Sequence, residues 1–149
     1  MTLPMSDSWE IEQGRVDSAQ FFAALWRHFP DATTFYAEGG GGTIAPEVRE
    51  CYAAHREEGE YVPRAETLWP RSAKFRCRFS AELMTALSAL AERHATPELL
   101  DHLALYRGST EVLSWPDAFG NVMWVSGSVS EEVVAAFAAD LGLRYGHAF

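Results

Sequence analysis

The runs LALYR at 103–107, GST at 108–110, EVLSW at 111–115, PDAFG at 116–120 and NVMWVS at 121–126 decide the fold. Three short segments rich in aliphatic, β-branched and aromatic residues are separated by links of three and five residues, and each link contains a glycine. Gly108-Ser109-Thr110 reads as a three-residue hairpin turn. A parallel return would need a crossover of about a dozen residues, so links this short force antiparallel neighbours. The centre of the protein is therefore a three-stranded antiparallel meander.

Working outward, KFRCRF at 74–79 alternates strictly, with Phe75, Cys77 and Phe79 on one face and Lys74, Arg76 and Arg78 on the other. It extends the meander, and TTFYA at 33–37 is a fifth strand candidate. Four segments carry helical periodicity. The first, 17–29, places Phe21, Phe22, Leu25, Trp26 and Phe29 on one side and is stopped by Pro30. The second, 46–58, opens on Pro46 and closes before Gly59. In the third, Ser80 caps a stripe of Leu83, Met84, Leu87 and Leu90. The fourth follows Ser130, buries Val133, Val134, Phe137 and Leu141, and ends at Gly142. The sequence Thr96-Pro97-Glu98 opens one further short turn. Helix stripes and strand faces must bury one another. The expected class is α+β: an antiparallel sheet of about four to five strands with about four amphipathic helices mainly on one face. A length of 149 residues fits a single domain, with 1–8 flexible and 59–73 a long surface loop.

Composition narrows the classes of function. The net charge is −9, from twelve basic and twenty-one acidic residues, which repels phosphate backbones and argues against a nucleic-acid partner. The cations are eleven Arg and one Lys, a bias of the kind that base composition of the coding sequence produces. No run approaches the roughly 18 apolar residues of a membrane span, and the first residues lack a basic start followed by an apolar stretch. A cytoplasmic location with no membrane partner is the resulting expectation. Cys51 and Cys77 read as free thiols in a reducing compartment.

Few places could hold chemistry. The glycines at 39–42 lie between a strand and a helix, where phosphate loops occur, yet they lack the spacing of a dinucleotide fingerprint and the Lys-Ser/Thr of a P-loop. No cofactor is assigned. Cys51 and His55 share a helix face, but two ligands do not make a zinc site, and Cys77 and His102 would have to complete it. No metal and no catalytic residue is assigned. The basic strand is more informative, because Arg71, Lys74, Arg76 and Arg78 fall in a stretch without acids inside an acidic chain. It is either an anion-binding stripe or a charged edge that discourages aggregation. His102 lies beside Asp101 in a turn, and Asp117 occupies another connection; an acid can orient a histidine, and aspartates also bond turn amides. Trp115 and Trp124 would suit a binding surface if they faced outward beside Arg76 or Arg78, and core filling if they faced inward.

The candidate ligand- or partner-binding residues are thus Lys74, Arg76, Arg78, His102, Asp117 and Trp115. Two functional readings follow. The first is a non-catalytic protein-binding or regulatory domain, in one version an immunity-type inhibitor that occludes a basic partner by charge complementarity. The second is a binding protein or minor enzyme for a small anion, using Arg76, Arg78 and His102. A homodimer through an uncovered sheet face is compatible with either.

Overall fold

The computed structural model describes residues 8–40, 42–58 and 72–148. The architecture is α+β with one antiparallel sheet, larger than the sequence suggests: seven strands and five helices among the described residues. In chain order these are β1 (Ser8–Ile11), α1 (Ser18–His28), β2 (Thr34–Gly40), α2 (Pro46–Ala54), β3 (Ser72–Arg78), α3 (Ala81–Ala91) and α4 (Thr96–Leu99). There follow β4 (His102–Arg107), β5 (Thr110–Trp115), β6 (Met123–Ser126), α5 (Glu131–Leu141) and β7 (Tyr145–Ala148). The strands lie in the order β3-β2-β4-β5-β6-β1-β7. The count of four to five strands is corrected by β1 and β7, four residues each, which the periodicity of the sequence does not reveal. The fifth helix is the single turn α4. Of the terminal segment expected to be flexible, Ser8 already stands in β1, and the rest lies outside the described residues. Most of the 59–73 segment is likewise outside them, while Ser72 and Ala73 belong to β3.

Helices α1, α3 and α5 begin where a side chain satisfies an orphan backbone amide. Asp17 accepts from the Ala19 amide, Ser80 from Leu83 and Ser130 from Val133. Gly142 closes α5 at φ +71°, a left-handed position open to glycine without a Cβ penalty. The apolar faces of α1, α2, α3 and α5 share one core with alternate strand residues, among them Ile11, Phe35, Ala37, Leu103, Leu105, Leu113, Trp115 and Val125.

The intervening strand residues point to the opposite face, where Tyr36, Ala104 and Tyr106 form a separate cluster. A β-bulge shapes this face. Leu105 pairs with Leu113 but Tyr106 pairs with Glu111, so Val112 is the additional residue. The bulge sends Val112 into the helix-side core and sets Glu111 beside Tyr106, whose hydroxyl donates to it at 3.1 Å.

The two glycines that end β2 have a packing role. A Cβ on Gly39 would stand 2.2 Å from Cδ1 of Ile44, which is itself buried, and one on Gly40 would stand 2.5 Å from Thr43 Oγ1. The Gly40 amide donates to Asp101 at 3.1 Å. Close approach of Thr43 and Ile44 thus accounts for Gly39 and Gly40 without a phosphate.

Candidate functional site

The sheet face opposite the main core is polar and yet largely buried. Reading across β3, β2 and β4, the registers align Arg78 with Thr34 and Tyr106, Arg76 with Tyr36 and Ala104, and Lys74 with Glu38 and His102. Glu38 is 1% exposed and accepts from the Tyr36 hydroxyl at 2.8 Å. Buried carboxylates need such donors, since an isolated buried charge costs several kcal/mol. Tyr36 and Tyr106 therefore serve as hydroxyl donors to two carboxylates set into a sheet face.

The chain after α2 brings a third carboxylate to this end of the face. Residues 55–58 run along the outer edge of β3: the Arg78 amide donates to the His55 carbonyl at 2.9 Å, and the Glu57 amide to the Arg76 carbonyl at 2.9 Å. This pairing delivers the Glu57 side chain over the sheet. There its Oε2 accepts from Thr34 Oγ1 at 2.6 Å and from Arg76 Nε at 3.2 Å. Two donors at those distances fix the carboxylate in place.

Two recesses meet at Arg76. The larger, about 500 Å³, is lined by Thr33, Thr34, Glu57, Glu58, Arg76 and Tyr106, with Gly108 and Ser109 at its rim. Hydroxyls and carboxylates dominate its described lining. The smaller, about 300 Å³, lies between α2 and β3 and carries Arg49, Arg56, Lys74 and Arg76 around Tyr52 and Phe75. The fold thus sets an acid-rich hollow beside a base-rich one.

The structure brings Lys74 and Arg76 together in the smaller recess and separates the other sequence candidates from them. Arg78 shares their face, is exposed and lines neither recess. His102 is half-buried; its Nδ1 accepts the Asp117 amide at 2.9 Å, and the Asp117 carboxylate stands 3.9 Å away. That arrangement holds the 116–120 link against β4, and neither His102 nor Asp117 lines either recess. Trp115 faces the helices, 2% exposed, so the core-filling alternative describes it. Trp124 is half-buried opposite Ser114 and Glu10, away from Arg76.

Sequence reading missed Arg49, Arg56, Glu57, Glu58, Thr34 and Tyr106. Arg49 lies on one side of the helical segment read at 46–58, whereas α2 ends at Ala54 and Arg56 stands beyond it in a bridge to Cys77. Which strand that side meets is decided by tertiary packing.

Several other titratable groups are bound into the fold. His28 bonds Asp140 at 2.8 Å, and with Arg27 it holds that carboxyl below its usual range. His94, with Arg93, does the same for Glu47. His55 Nδ1 contacts the Cys51 carbonyl at 2.9 Å. Burial raises the Cys51 thiol and pushes Cys77 up to about 12, so neither is poised as a thiolate. Among the described residues, no three His, Cys, Asp or Glu stand together as a metal site, and no helix is long and apolar enough to cross a membrane. Compared with known protein families, curated proteins and solved structures, the chain matches none.

Proposed function

We propose that this chain is a non-catalytic binding domain for a basic protein partner, and that the acid-rich recess receives a lysine or arginine side chain of that partner. One observation carries the reading: the Glu57 carboxylate, fixed by Thr34 and Arg76, faces a hollow of about 500 Å³ whose mouth carries the exposed Glu58. An acceptor already held in place loses little freedom on binding, which favours affinity. The hydroxyls of Thr34 and Tyr106 are committed as donors to carboxylates, and this keeps the hollow rich in acceptors. A net charge of −9 steers a basic partner toward the domain and speeds association. An immunity-type inhibitor that occludes a basic toxin is the concrete version of this reading. Such a protein needs a complementary surface and no chemistry of its own.

The test is affinity capture from the source cell's lysate with the wild-type domain and a Glu58→Lys variant immobilised in parallel. Glu58 is exposed, so the exchange leaves the core intact. The expected result is a basic protein held by the wild type and reduced at least ~10-fold on the variant, the size of a lost charge contact. Equal retention of the same proteins on both matrices overturns the reading.

A further inference from the structure

The half of the sheet formed by β6, β1 and β7 carries a second surface, and none of the residues lining the acid-rich recess belongs to it. We propose that Trp124 and Glu10 form there a docking site for an arginine side chain of a partner protein, its guanidinium stacked on the indole and paired with the carboxylate. Three observations lead there. First, the registers align Ser114, Trp124, Glu10 and Gly146 in one row across β5, β6, β1 and β7. The neighbouring strand residues Leu113, Met123, Val125, Trp9 and Ile11 belong to the helix-side core, so alternation sets the row on the opposite face. Residues directly opposite on antiparallel strands hold their Cβ atoms about 4.5–5.5 Å apart, which lets an indole and a carboxylate touch one bound group.

Second, both side chains are open to a ligand. Trp9 and Trp115 donate to backbone carbonyls, and Trp26 packs on Phe79. Trp124 is half-buried and has neither a ring contact nor a hydrogen bond among the described residues. Glu10, also half-buried, makes no ion pair among them. Arg144, which leads into β7, is held instead by Glu12 at 2.9 Å. Third, the row ends on open space. Strand β7 is last in the sheet order, and a Cβ built on the exposed Gly146 would meet nothing within 4 Å. A long side chain can therefore lie across Gly146 with its head between Glu10 and Trp124. A guanidinium suits that place better than an ammonium, because the planar group stacks on an aromatic face and pairs a carboxylate through parallel N–H donors. The net charge of −9 favours approach of a cationic partner and disfavours a second copy of this chain.

The experiment is NMR titration of the isotope-labelled full chain with a capped peptide of three Arg-Gly repeats, and in parallel with its Lys-Gly analogue of equal charge, at an ionic strength of ~0.15 M. The Trp124 indole N–H signal is assigned by its loss in Trp124→Phe. That signal should move saturably with the arginine peptide, and the lysine peptide should bind at least ~3-fold more weakly. Glu10→Gln keeps the shape of the side chain and should weaken arginine binding about 3–5-fold, the size of a lost exposed ion pair. Trp124→Leu, checked for an unchanged melting profile, should remove the ring-current shift of the arginine δ protons. Glu58→Gln, an equal change of charge in the acid-rich recess, should bind as wild type. No saturable movement of the Trp124 signal up to ~5 mM peptide would overturn the proposal. So would an equal response to the two peptides, binding that Glu10→Gln leaves unchanged, or equal loss in Glu58→Gln. The capture experiment alters Glu58 and this titration reads Trp124 and Glu10, so the two surfaces can fail separately.

Discussion

Replacing Trp115 with alanine is expected to lower the free energy of unfolding by about 3–5 kcal/mol, the range for deleting a large buried aromatic. The indole is 2% exposed and lies 4.7 Å by centroid from both Phe21 and Phe119. Its Nε1–H donates to the Asn121 carbonyl at 2.9 Å, which closes the 116–120 link. That link holds two non-glycine residues at positive φ, Asp117 at +48° and Phe119 at +69°. Such positions cost about 1–3 kcal/mol each and persist where packing over-determines them. Here the Phe119 ring is held against Trp115 and, at 5.7 Å, against Phe21. Removing the indole therefore creates a cavity and also releases a strained connection. Trp115→Phe should cost less, about 1–2 kcal/mol, since it keeps most of the volume and loses the hydrogen bond. Chemical denaturation of the two variants checks both values. A cost below about 1 kcal/mol for alanine would mean that Trp115 is not a core residue.

Trp9→Ala should be nearly as damaging, at about 3–4 kcal/mol, although Trp9 stands two residues into the described chain. Its ring packs edge-on against Tyr145 at 5.9 Å and His147 at 3.9 Å, and its Nε1–H donates to the Val129 carbonyl at 3.0 Å. One side chain thus links β1, β7 and the turn before α5. Strand β1 sits between β6 and β7, with Trp9 opposite Val125 on one side and His147 on the other. Loss of Trp9 loosens β1 and β7 from the sheet together. The expected urea transition remains single and moves to lower concentration. A variant that unfolds at the wild-type midpoint would contradict the structural role given to β1 and β7.

These two tryptophans also mark what could be read in the sequence. Helices α1, α3 and α5 were legible because their caps and stripes are local: Asp17, Ser80 and Ser130 sit where the periodic residues begin, whereas α2, uncapped by a side chain, ends at Ala54, short of the expected 58. The meander was legible because its links are short. Strands β1 and β7 were not, because four residues with one or two apolar positions carry no period, and their partners lie more than a hundred residues away. The face of Trp115 was ambiguous for a related reason. Its strand has buried residues on both sides, Leu113 and Trp115 toward the helices and Ser114 away from them.

The candidate site shows the same division. Alternation alone placed Lys74, Arg76 and Arg78 on one face. The sequence could not show that residues 55–58 pair along β3, which draws Glu57 onto Arg76 and sets Arg56 opposite Cys77. That single non-local pairing separates the acidic hollow from the basic one. It also separates Arg76, which lines both, from Arg78, which lines neither.

Binding of a basic protein partner at the acid-rich recess is tested most directly by amide hydrogen exchange on the domain, free and in complex with the captured protein. New protection should concentrate in residues 55–58 and 106–110, two of the segments that border the recess. Protection confined to the outer surfaces of α1, α3 and α5, with those two segments unchanged, would contradict it.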